Sequence, residues 1–142
     1  MISVKEAFAE ANIRRCYPVM RELRPQIASE DEFVAQVKRQ QGQAAYRLIY
    51  AEEAGEPVAC AGFRVSEWLA WGKALYVDDL ICLPAHRSKG FAAALMRRME
   101  AQARAEGCAQ LHLDSGTHRL TAHRFYHRLQ LAITSFHFAK SL

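Results

Sequence analysis

No run of 18 apolar residues occurs in this chain of 142 residues, so no segment reads as a membrane-spanning helix. A charged-then-apolar leader is also missing from the N-terminus, and a soluble cytoplasmic protein is expected. Cysteine is sparse and scattered: Cys16, Cys60, Cys82 and Cys108 form no Cys-x-x-Cys pair and suit buried free thiols, which pack as small hydrophobes. Neither Gly-x-x-x-x-Gly-Lys-Ser/Thr nor Gly-x-Gly-x-x-Gly is present, which leaves ATP and NAD unsupported. His123 and His127 stand four apart, but no His-Glu-x-x-His accompanies them and no third ligand is evident, so no metal is expected. Ser115 lacks the Gly-x-Ser-x-Gly elbow of a serine nucleophile. Linkers, repeats and low-complexity tracts are absent.

Charge is also modest. The net charge is +4, with Lys and Arg spread from Lys5 to Lys140 among acidic residues, so nucleic acid is not expected as a partner. Two local clusters stand out: His86, Arg87 and Lys89, and the group from His118 to Arg128. Such clusters suit a polyanionic small ligand.

About half of the residues are hydrophobic, enough for one domain of this size to bury a full core. Ile2 to Ala7 alternates as a short edge strand. Ile13, Cys16, Tyr17, Met20 and Leu23 follow helical spacing; Asn12 is the expected cap, Pro18 is a misfit inside, and Arg24-Pro25 is the stop. Ser29 and Glu32 form a capping box that opens a second helix, thin on its apolar face and expected to stop at Gly42. Tyr46 to Glu52 and Val58 to Val65, joined by Glu53-Ala54-Gly55-Glu56-Pro57, read as a hairpin. The aromatic Trp68 to Trp71 loop leads to a third strand, Lys73 to Leu83. A helix over Phe91 to Ala105 stops at Gly107, and Ala109 to Leu113 is a strand. Thr121 is expected to cap a short helix carrying Phe125, Tyr126 and Leu129, and Leu131 to Phe138 is expected as the last strand. Its apolar edge offers a second copy of the chain a place to pair, giving a homodimer.

The chemistry centres on the loop between the third strand and the helix after it. The first N–H groups of a helix lack intrahelical partners and carry the positive end of the macrodipole, so an anion placed there gains several hydrogen bonds. Arg87-Ser88-Lys89-Gly90-Phe91-Ala92 brings basic side chains to that position, with Gly90 and Ala92 leaving the backbone open.

Those six residues match the pattern Arg/Gln-x-x-Gly-x-Gly/Ala of the GNAT acyl-CoA N-acyltransferases. The resemblance extends over most of the chain: two N-terminal helices, a meander, the loop and its helix, a strand, an Ala122-x-x-Phe125-Tyr126 helix and a final strand. It implies a single α/β domain over residues 1–142, with a mixed, mostly antiparallel sheet flanked by helices around a βαβ acyl-CoA-binding unit.

By the same resemblance, Arg87, Ser88, Lys89, Gly90, Phe91 and Ala92 wrap the pyrophosphate of acetyl-CoA. The backbone of Ile81, Cys82 and Leu83 meets the pantetheine arm, and a β-bulge there would leave an N–H for the thioester oxygen. Tyr126 would protonate the leaving thiolate. An alkyl-ammonium acceptor must lose a proton before attack, and Asp79, or else Asp78, would take it. Adjacent strand residues point to opposite faces, so only one of the two is expected to face the cleft. Arg119 replaces an Asn common in the family and is assigned to a CoA phosphate or to Asp114. The resemblance therefore implies acetyl-CoA-dependent transfer to a primary amine in a ternary complex; the alternative is an acyl-CoA-binding sensor without turnover.

Overall fold

The computed structural model describes every residue from Met1 to Leu142. The order of elements is β1 (Val4–Glu6), α1 (Glu10–Leu23), α2 (Glu30–Ala44), β2 (Arg47–Glu53), β3 (Glu56–Trp68), β4 (Gly72–Cys82), a 3₁₀ turn (Pro84–His86), α3 (Phe91–Ala105), β5 (Gln110–Leu113) and α4 (Leu120–Arg128). The five strands form one sheet in the order β1-β2-β3-β4-β5, antiparallel from β1 to β4. The expected α/β class, with a mostly antiparallel sheet and flanking helices, is the one observed. The chain divides into two compact units, Met1–His112 and Leu113–Leu142.

In the first unit, alternation along β2 sends Leu48 and Tyr50 into a buried cluster with Ile13, Cys16, Val19 and Met20 of α1 and Phe33, Val34 and Val37 of α2. α3 packs on β2, β3 and β4, with Leu95, Met96 and Met99 fully buried at helical spacing. It also carries the chain back along the sheet. The Ala109 N–H donates to the Lys73 carbonyl at 3.1 Å, so β5 starts beside the start of β4, as a strand–helix–strand crossover requires.

Several local expectations need correction. α1 starts at Glu10 after Ala9, with no side-chain cap, so Asn12 lies inside the helix; Pro18 is accommodated within it as well. Ser29 does cap α2, accepting from the Glu32 N–H at 3.1 Å. The helix passes Gly42 and ends at Ala44, where Ala45 takes the left-handed conformation at φ 52°. Its last turn is completed by the Tyr46 N–H, which donates to the Gln40 carbonyl.

In the second unit, α4 starts at Leu120, one residue before the expected cap Thr121, and Arg119 precedes it without a side-chain cap. The helix stops where the Gln130 and Leu131 N–H groups turn back to the His127 and Tyr126 carbonyls, with Gln130 at φ 66°. Residues 131–142 form no strand. Ile133, Phe136 and Phe138 are exposed there: the composition favours β-structure, but no ladder partner is supplied to it.

Candidate active site

The loop between β4 and α3 has a defined backbone course. After β4 the Leu83 N–H donates to the Val58 carbonyl at 2.9 Å, and Pro84–His86 makes one 3₁₀ turn. Ser88 and Gly90 then adopt left-handed conformations, at φ 62° and 91°. This reversal aims the chain into α3, whose first turn has no side-chain cap. The ring of Phe91 is buried and anchors the helix start, while Arg87, Ser88, Lys89 and Gly90 are exposed and Ala92 is half-buried. A set of backbone donors thus opens outward with cations beside it.

A carboxylate invisible to motif reading completes this loop. Glu53, at the end of β2, meets His86 Nδ1 at 2.6 Å and the Lys89 ammonium at 3.3 Å. These contacts, led by Lys89, hold the Glu53 carboxyl below its ordinary range. His86 and Lys89, two of the three basic residues in the loop cluster, are therefore already engaged by the β2–β3 hairpin. Arg87 instead directs Nε to the Cys82 carbonyl at 3.4 Å.

The bulge lies elsewhere than expected. Ile81 and Cys82 stand in register with Cys60 and Ala59, and the ladder shifts upstream: Gly62 faces Asp79 while Phe63 faces Val77. Asp78 is the extra residue. A bulge breaks the alternation of a strand, so the regular alternation from which only one of the two aspartates is expected to face the cleft does not hold at Asp78. Asp78 receives Arg64 through Nε at 3.0 Å and through Nη2. Asp79 receives Arg24 Nε on Oδ1 and the Tyr46 hydroxyl on Oδ2, each at 2.8 Å. Only 13% of the Asp79 side chain is exposed.

Tyr46, Arg24 and Arg64 were not marked by any motif. The signal for Tyr46 is a pairing of distant residues: its ring crosses Gly62 of β3, where a side chain would stand in its way, and its hydroxyl reaches Asp79. Burial, reinforced by Asp79, pushes the Tyr46 phenol well above its ordinary value.

In the second unit, Tyr126 lies beside Phe125, ring centroids 5.6 Å apart. Burial raises its phenol above the usual range, with Arg119 acting in the opposite sense. Arg119 donates its N–H to Gly116 and its carbonyl accepts from His123. Asp114 has His137 Nδ1 at 3.7 Å. Among the cysteines, all free, the Cys60 thiol is raised well above its ordinary value by burial and by contact with Cys16.

Comparison with known proteins locates the chain among acetyltransferases. The model of the Acetyltransferase (GNAT) family matches residues 10–130. The uncharacterized N-acetyltransferase YhdJ of Bacillus subtilis (strain 168) is 30% identical over 143 aligned positions, covering 99% of each chain. A putative acetyltransferase from Agrobacterium tumefaciens str. C58 superposes with a TM-score of 0.85 at 21% identity, over 99% of this chain and 100% of that one. The aminoglycoside enzyme AAC(6')-Iy, solved with a CoA bisubstrate analog, gives 0.85 at 12% identity, over 100% and 98%. At these identities the solved structures establish a shared fold.

Proposed function

Because the chain belongs to the GNAT acetyltransferase family and is an N-acetyltransferase, we propose that it moves the acetyl group of acetyl-CoA directly to a primary amine of a small molecule, peptide or protein. The observation that carries this reading is the loop from Arg87 to Ala92, which opens uncapped helix N–H groups and cations to one side. Those donors suit a pyrophosphate, with Arg87, Ser88, Lys89, Gly90, Phe91 and Ala92 as its cradle. The backbone of Ile81, Cys82 and Leu83 is assigned to the pantetheine arm. Arg119 is assigned to a CoA phosphate.

In this scheme the free amine attacks the thioester carbonyl, the tetrahedral adduct collapses, and the carbon–sulfur bond breaks. Tyr126 supplies a proton to the departing thiolate; the assignment rests on its place in the Ala122-x-x-Phe125-Tyr126 signature and on a phenol that burial keeps protonated. Asp79, with Asp78 as its alternate, is assigned to the ammonium proton, directly or through water. No acyl-enzyme is required, because holding both reactants together supplies much of the acceleration. The whole chain acts as one acetyltransferase domain, working as a homodimer through the apolar segment 131–138. No helix is long and apolar enough to cross a membrane; the cytoplasm is the assigned site of action.

The test is release of CoA thiol from acetyl-CoA over a panel of amines, peptides and aminoglycosides, beside calorimetric CoA binding. Amine-dependent release supports the proposal. Binding without turnover on any acceptor would favour a sensor, and no binding would remove both.

A further inference from the structure

The bulge in β4 has a device attached to it. A bulged residue leaves the ladder, and its backbone carbonyl needs another donor. For Asp78 that donor is Arg24 Nη2 at 2.9 Å, while Nε of the same guanidinium holds the Asp79 carboxylate at 2.8 Å. One planar fork thus bridges the main chain of one residue and the side chain of the next. Arg24 is the residue at which α1 ends, its N–H bonded to the Met20 carbonyl at 2.9 Å. The end of α1 is therefore tied to the one irregular point of β4. Tyr46 takes the second oxygen of Asp79, and Arg64 grips Asp78 from β3.

The structure assigns Arg24 the role of a positioning residue, which sets the bulge and with it the course of the strand from Leu80 to Leu83. This assignment rests on the acetyl-transfer reading above, in which that strand carries the thioester. Both oxygens of Asp79 already accept hydrogen bonds, so its carboxylate is held in one orientation by Arg24 and Tyr46. Fixed direction matters here, since a misplacement of about 1 Å can cost about 10²-fold in rate. Stability depends less on the contact: Arg24 is 38% exposed, and ion pairs open to solvent contribute little to folding. Lysine cannot substitute, because one ammonium on a flexible stem does not reproduce the fork.

The experiment compares Arg24→Gln and Arg24→Lys with the wild type by kcat, KM for acetyl-CoA, CoA affinity and amide hydrogen exchange of the ligand-free protein. Both variants should lose about tenfold or more in kcat, with CoA affinity within about twofold and Tm moved by no more than about 4 °C. Exchange should accelerate at residues 78–82 and stay unchanged in α3. Wild-type kcat in Arg24→Lys would reduce the role to bare charge and overturn the proposal. Unchanged exchange at 78–82 in both variants would overturn it as well. A wild type that turns over no amine would count against acetyl transfer itself, and the exchange pattern would then decide the bulge assignment alone.

Discussion

Tyr46 lies across Gly62 so closely that a β-carbon on the glycine would stand 1.8 Å from the phenolic oxygen and 2.3 Å from the ring carbon that bears it. Substitution Gly62→Ala must therefore expel the ring, and with it the hydrogen bond to Asp79. A loss of about 1–3 kcal/mol is expected from the overpacking. Chemical denaturation measures it. Tyr46→Phe should give no relief in the double variant, because the ring itself is in the way.

Alkaline stability follows from the same phenol. Its value lies well above the ordinary 10.0, chiefly through burial, so the folded form retains a proton that the unfolded chain has lost. The contribution is fully present below pH 10.0 and declines as the pH rises beyond it. Tyr46→Phe should be less stable at neutral pH and show a shallower alkaline decline, read from denaturation midpoints across the range.

Replacing Tyr126 by Phe removes the proton assigned to the thiolate while keeping the ring against Phe125. Turnover should fall on the order of 10²-fold, and CoA affinity should barely change. An unaltered kcat would remove the acid role from Tyr126.

Glu53 holds His86 and Lys89, so in the proposed cradle it would compete with a CoA phosphate for them. Glu53→Gln should tighten CoA binding by up to about fivefold, the range expected for releasing an exposed ion pair. Calorimetry provides the check, and weaker binding would mean that Glu53 organises the loop for CoA.

In segment 131–138, Phe138 is 90% exposed and Phe136 84%. Paired substitution Phe136→Ser with Phe138→Ser should shift a dimer to monomer in analytical ultracentrifugation. An unchanged mass would place the contact elsewhere or show that none exists.

Much of the fold is legible because local chemistry and periodicity agree. Phe91 to Ala105 carries a clear helical stripe between Gly90 and Gly107, and α3 has those bounds. The cap at Ser29 holds for the same reason. Caps at Asn12 and Thr121 do not, since a capping residue type says nothing about where tertiary packing starts the helix. The loop from Arg87 to Ala92 is visible as a contiguous motif. The Arg24–Asp79–Tyr46 cluster is not, because three segments meet there only after a bulge shifts the register between Gly62 and Phe63. Alternation can place Asp78 and Asp79 on opposite faces only while the strand remains regular. Residues 131–138 fail as a strand for a related reason: propensity requires a neighbouring edge.

In the proposed reaction the loop from Arg87 to Ala92 holds acetyl-CoA for transfer to an amine. Thiol release over primary amines, measured for the wild type beside Gly90→Val, tests it most directly. Gly90 stands at φ +91°, where a β-branched residue is strained and would crowd a pyrophosphate held in the proposed cradle. The wild type should release thiol only when an amine is present, and the variant should show a raised KM for acetyl-CoA. Release that ignores the amine, or an equal KM in the two proteins, would contradict that reaction.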